Sequence, residues 1–168
     1  MGKKFELTDK FIINVFGIKL FQIKCTKSFK YTQKGDLGGY VEKEGNLDQE
    51  NDAWVSGDAQ VYGNAWVSGN AQVYGDAQVS GNAWVYGDAN IKNNNEHCGF
   101  DGFGSCNRHT HAYLTKEKKV EITCGCFRGS IEEFEKKVEE THSGTIYEKQ
   151  YKAIINVIKI KFGLTDLI

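Results

Sequence analysis

Residues 52–93 read DAWVSG-DAQVYG-NAWVSG-NAQVYG-DAQVSG-NAWVYG-DANIKN, six consecutive hexads of the form Asp/Asn-Ala-x-Val-Ser/Tyr-Gly followed by a degraded seventh. One apolar column runs Val55, Val61, Val67, Val73, Val79, Val85, Ile91, and an alanine stands two residues before each member. Gly57, Gly63, Gly69, Gly75, Gly81 and Gly87 each precede an Asp or Asn. A period of six fits neither the 3.6-residue helix nor the heptad. Alternation in Ala-x-Val turns both side chains to one face of a short strand. The Gly-Asp/Asn pair then makes a corner, with glycine supplying the positive φ. Short strands joined by identical corners predict a mainly β fold, a parallel β-helix whose successive coils stack. Three hexads make a triangular coil, so residues 18 apart lie above one another.

Counting back in sixes from Val55 places Gln49, Lys43 and Leu37 in the apolar column, with Leu47 and Val41 in the small one. This predicts about three coils over residues 37–95. The 18-residue spacing puts Trp66 above Trp84, with Tyr86 beside them. An aromatic ladder on an outward face predicts a homo-oligomer, a trimer or dimer, with Trp66, Trp84 and Tyr86 at the interface.

Over its 168 residues the chain carries 21 basic and 22 acidic side chains, a net charge of −1. That balance argues against neutralising phosphates or coating an anionic membrane, so neither nucleic acid nor membrane is an expected partner. A hydrophobic fraction of 40% and a charged fraction of 26% place the chain among globular proteins. Nineteen glycines with no proline exclude collagen and proline-rich linkers. No apolar run follows Met1, and five cysteines is an odd number, so reduced thiols in the cytoplasm are expected.

The flanks differ from the repeat. In residues 1–36, FIINVF and IKLFQIKC around Gly17 predict a β-hairpin arm that covers the open end of the coils. In residues 96–168, GFDGFGSCNRHTH reads as a glycine-rich loop, AYLT and VEITCGCF as a hairpin, and two helices follow, a ββαα module. Ser130 with Glu133 is a capping box, and Ile131, Phe134 and Val138 are that helix's buried face. Thr145 with Glu148 opens the second helix, and Gly163 closes it.

The segments KFELTD, GDLGGYVEKEGNL and CGCFRGSIEEFEKKVEETH, with the hexads between them, resemble a family of phage and prophage proteins. The resemblance covers nearly the whole chain. It implies a left-handed β-helix and a viral setting, hence the cytoplasm of an infected or lysogenic bacterium, and it implies no activity. Cys98, Cys106 and His109 lie outside the family's pattern.

Two places could hold chemistry. Cys124-x-Cys126 and His109-x-His111 each put two ligand types on one face of a strand, which makes Cys124, Cys126, His109 and His111 candidates for a structural zinc. Otherwise no cofactor is expected. Gly99, Gly102 and Gly104, with Ser105 and Arg108 downstream, could present backbone N–H groups to an anion. Arg128 sits beside a helix start. Arg108 and Arg128 are the only arginines, and guanidinium matches phosphate in a two-pronged contact. Ser105, Arg108, His111 and Arg128 are therefore the candidate ligand contacts. An acyltransferase, suggested by fold analogy alone, would need a loop-borne histidine within the coils, and residues 53–91 contain none. The expectation is a non-enzymatic binder that sequesters a nucleotide-like immune signal or a host defence protein. A rigid assembly spacer is the alternative.

Overall fold

The computed structural model describes residues 2–164. Two compact units are present, one ending at Asn94 and the other beginning at Asn95.

The first unit opens with β1 (Phe5–Ile13) and β2 (Lys19–Cys25), an antiparallel hairpin, followed by β3 (Leu37–Val41). Seven two-residue strands come next: β4 (Trp54–Val55), β5 (Gln60–Val61), β6 (Trp66–Val67), β7 (Gln72–Val73), β8 (Gln78–Val79), β9 (Trp84–Val85) and β10 (Asn90–Ile91). All pairing among them is parallel between residues 18 apart: Val55 with Val73 and Val73 with Ile91, Val61 with Val79, Val67 with Val85. Each hexad thus supplies one strand of one side, and this is a solenoid. Every alanine and valine of the two columns is buried. The narrow interior explains alanine, since a larger side chain would overpack it.

The corners are fixed by backbone geometry. The six repeat glycines have φ between 65° and 71°, and Gly57, Gly63 and Gly69 each stack on the glycine 18 residues further on: a Cβ at Gly69 would lie 3.0 Å from the Gly87 nitrogen. Side-chain rungs join successive corners, Asn64 to Asn82 and Asn70 to Asp88, each at 3.2 Å.

The register before Val55 differs from the count in sixes. Val41 pairs with Val61, and Leu47 bridges to Val67, both 20 residues apart. Val41 and Leu47 therefore belong to the valine column, and two extra residues lie between Leu47 and Val55. Gly39 occupies the small-column place opposite Ala59, where a Cβ would come within 2.7 Å of the Ala59 carbonyl oxygen. Asn46 is fully buried, and its amide donates to the carbonyls of Gly63 and Ala65, satisfying backbone that lacks a strand above it.

The hairpin arm extends the coil sheet rather than lying across it. The strand order is β1-β2-β3-β5-β8, with β2 antiparallel to β3. Arm residues also cover aromatics of the solenoid. Phe29 meets Trp54 edge-on at 5.6 Å, and Phe16 lies 6.4 Å from Tyr62. Lys4 is buried against the same end, its ammonium donating to the carbonyls of Asn51 and Ala53. Burial pulls its pKa down to about 8.

The second unit is a four-stranded antiparallel meander, β11 (His97–Phe103), β12 (Arg108–Leu114), β13 (Val120–Cys124) and β14 (Phe127–Gly129), with α1 (Ile131–His142) and α2 (Ile146–Lys161) after it. The expected loop over GFDGFGSCNRHTH is thus a hairpin, and the module is ββββαα. Ser130 accepts from the Glu133 amide and Glu133 accepts from the Ser130 amide, the reciprocal cap that its spacing predicts. Thr145 caps α2, while Glu148 reaches back to the Gly144 amide instead. Ile131, Phe134 and Val138 of α1 and Tyr151, Ile154, Ile155 and Ile158 of α2 cover Ala112, Ile122 and Cys124 of the sheet. No helix among the described residues is long and apolar enough to cross a membrane.

Candidate functional site

Strand register sorts the C-terminal side chains onto two faces. Thr110 pairs with Cys124 and Ala112 with Ile122, and these point toward the helices. His111 pairs with Thr123, and Thr123 with Arg128, on the other face. Directly opposed residues of an antiparallel pair share a face, and the next residue along takes the opposite one.

This separates residues that spacing alone had grouped. Cys124 and His111 lie on opposite faces, so the proposed zinc set of Cys124, Cys126, His109 and His111 cannot converge. No cluster of three or more metal-type ligands exists among the described residues. On the histidine face, His97 Nδ1 and His111 Nε2 are 3.0 Å apart, and His109 Nδ1 is 2.8 Å from an Asp101 carboxylate oxygen. Burial raises the Cys98 thiol to about 11, so this cysteine stays protonated at neutral pH.

The four predicted ligand contacts also part. His111 is buried. Arg128 is committed to Glu121, its Nε 2.5 Å from Oε1. Ser105 is exposed, its hydroxyl 3.8 Å from the Cys106 sulfur. Two of the three glycines of that segment are packing positions. Gly99 lies under the His109 ring, and Gly104 admits the Tyr151 hydroxyl where a Cβ would be 2.0 Å away.

Arg108 remains, and it faces a cavity of about 130 Å³ on the helix side of the sheet. Its side chain lies across Gly125, whose φ is 58° and where a Cβ would come 2.7 Å from the guanidinium. The positive φ calls for glycine there. Around the cavity, Lys137, Thr141 and His142 come from α1, and Phe127, Phe134 and Tyr151 supply rings. Among the described residues no carboxylate lines it. Among the described residues Arg108 forms no ion pair and no side-chain hydrogen bond. Lys137 has Glu140 at 3.6 Å, an exposed and weak pairing. His142 stacks on Tyr151 at 5.4 Å, and Phe134 meets Tyr151 edge-on. Burial, then the neighbouring Cys124 thiol, push the Tyr151 phenol above its ordinary range, so it stays a neutral donor beside the cations.

Lys137 and His142 were not picked out from the sequence. The available signal was their helical spacing: Lys137 and Thr141 flank the buried Phe134–Val138 stripe, at the rim where a polar residue overlooks the core.

A family model described as the YdcK beta solenoid repeat matches residues 59–75, 71–87 and 77–90. No curated protein matches the chain. The matched repeats lie within the solenoid, and the chain is a β-solenoid repeat protein.

Proposed function

We propose that this chain is a non-enzymatic binding protein in which the C-terminal module takes a compact anionic group at Arg108. The observation that carries this reading is the cavity's lining: an unpaired guanidinium with Lys137 and His142, three rings, and no carboxylate. Arg108 is exposed and without an acidic partner among the described residues, so its guanidinium is open to a two-pronged, charge-assisted contact with an anion. The size narrows the ligand. At about 130 Å³, the cavity is smaller than the ~300–1,000 Å³ that encloses a whole drug-sized molecule. It suits one end group, such as the phosphate of a nucleotide-derived molecule, with the remainder outside.

The solenoid supplies the architecture in this reading: a left-handed parallel β-helix of about three coils. Its hexad form and alanine column support that winding. Trp66 and Trp84 meet edge-on at 6.0 Å, and Trp84 and Tyr86 keep 51% and 41% of their surface exposed. This supports self-association through that face, as a trimer or dimer. The resemblance of the flanks to phage and prophage proteins supports a role in an infected or lysogenic bacterium's cytoplasm, sequestering a host signal.

A thermal-shift screen tests the reading, using inorganic phosphate, nucleoside monophosphates and linear and cyclic dinucleotides. A ligand of the native state stabilises it by about 2.7 kcal/mol at a hundredfold excess over Kd. At least one phosphate-ended compound should raise the wild-type midpoint and leave Arg108→Ala unmoved. Equal shifts in both proteins, or none in either, would remove the site and favour the spacer role.

A further inference from the structure

The near-neutral total charge conceals a segregation. Residues 1–34 hold eight lysines against Glu6 and Asp9, a net of +6. Lys3 pairs with Glu44, Lys30 with Asp52, and Lys4 is buried on carbonyls. The other five, Lys10, Lys19, Lys24, Lys27 and Lys34, are exposed and form no ion pair among the described residues.

At the tip of the β1–β2 hairpin the exposed side chains are apolar. Val15 is 89% exposed, Phe16 69%, Ile13 65% and Phe11 49%. The turn that presents them is well made. The Asn14 side chain accepts from the Phe16 and Ile18 amides, both at 3.0 Å, and Gly17 takes φ 77°. Exposed turn positions ordinarily carry polar residues. A rigid turn that offers valine and phenylalanine to water breaks a local rule without gain to the fold, and such breaks concentrate at functional sites. Lys19 lies over the Phe11 ring at 4.0 Å and the Phe21 ring at 4.8 Å, so cation and apolar surface share one face.

We infer that this tip docks on a bilayer containing anionic lipid, with Val15, Phe16 and Ile13 entering the headgroup boundary and the arm's lysines meeting lipid phosphates. Both halves of that chemistry are needed, since neither a few apolar side chains nor a basic patch alone anchors stably. A protein partner fits less well, because a standard interface covers ~800 Å² on each side, and four side chains on a narrow hairpin tip offer far less. The attachment is peripheral, and it revises the expectation that whole-chain charge excludes a membrane.

The test is co-sedimentation of the full chain with vesicles of phosphatidylcholine alone and of equal parts phosphatidylcholine and phosphatidylglycerol. The wild type should bind the anionic vesicles and leave the neutral ones, with binding that falls as salt rises. Val15→Ser, at a side chain 89% exposed, should weaken partitioning, and Val15→Ser with Phe16→Ser should weaken it about tenfold. Lys10→Gln with Lys19→Gln should also weaken it. Tryptophan fluorescence checks that each variant stays folded. Equal binding by wild type and the serine variants, or no binding to anionic vesicles, overturns the inference. So does a wild type that ignores vesicles but self-associates in light scattering, with Val15→Ser monomeric; the tip would then be a contact between copies.

Discussion

In the hexads of the solenoid, one inward column is alanine and the other valine, closed by Ile91, and three corners carry a glycine on a glycine. In the C-terminal module no position repeats, and the core is assembled from two helices and a meander whose every contact is particular. The first arrangement gives a regular body with outward faces of Gln, Trp, Ser and Tyr, and no cation between Ala53 and Ile91. The second gives a cavity where three cationic or titratable side chains meet rings. Repetition builds shape cheaply, while a binding site needs positions that differ from their neighbours.

The largest expected effect breaks the repeat from inside. Val73 is fully buried between Val55 and Ile91, so Val73→Asp places an unpaired charge in the column and costs several kcal/mol, on the order of the unit's stability. The neighbouring Gln72 points outward and donates to the Asp52 carbonyl, so Gln72→Asp should cost about 1 kcal/mol. Thermal melts followed by tryptophan fluorescence report this unit alone, since Trp54, Trp66 and Trp84 are the chain's only tryptophans. Equal losses from both would refute the inward and outward assignment.

The corners come next. Gly69→Ala must hold φ near 68° with its Cβ 3.0 Å from Gly87, which costs about 1–3 kcal/mol. Gly45 has open space and no positive φ, so Gly45→Ala should melt within about 0.5 kcal/mol of wild type. Denaturant titration of the two variants distinguishes them.

A smaller effect separates the units by pH. Cys98 has a folded pKa of about 11, above its unfolded value near 8.5, and Tyr151 is also raised. The unfolded chain therefore releases these protons first. The stability they contribute is complete below pH ~8.5 and is lost as pH rises toward 11, on the order of 1–2 kcal/mol for Cys98 once its partial exposure is allowed for. Lys4 has the opposite sign. Its folded pKa of about 8 lies below the unfolded ~10.4, so the unfolded state holds more protons between these values, and stability rises with pH across that window. Cys25, raised by burial, opposes that gain above its unfolded value. Between pH 8 and 10.5 the helical circular dichroism of α1 and α2 should lose melting temperature before the tryptophan signal does. A tryptophan transition that falls first would contradict the assignment.

What could be read in the sequence follows the same division. The hexads fixed which residues stack, because one side chain recurring at every sixth place leaves a single register. The count failed at residues 48–52, a polar stretch with no column of its own to betray the two-residue insertion. In the module, the capping box and the Ile131–Phe134–Val138 stripe were legible because they are local. β11 and β12 were hidden by Gly99, Gly102 and Gly104; Gly99 makes room for the His109 ring and Gly104 for the Tyr151 hydroxyl, while Gly102 has open space and a φ of 81°. The alternation of Cys98 and Phe100 with His97 and Gly99 was present, but the histidine face masked its apolar contrast. Arg108, which lines the cavity, was singled out by residue type. Lys137 and His142, which line the same cavity, were not, since the only signal for them was a helical spacing and they meet Arg108 only across the folded module.

The central claim is that the module binds a compact anion through Arg108, while Arg128 is engaged by Glu121. Isothermal titration calorimetry on wild type, Arg108→Ala and Arg128→Ala tests it directly, using the phosphate compound that gives the largest thermal shift. A charge-assisted hydrogen bond contributes about 1.5–3 kcal/mol, so Arg108→Ala should weaken binding at least about tenfold, and Arg128→Ala should leave the affinity unchanged. Retained affinity in Arg108→Ala, or an equal loss in Arg128→Ala, would contradict the account.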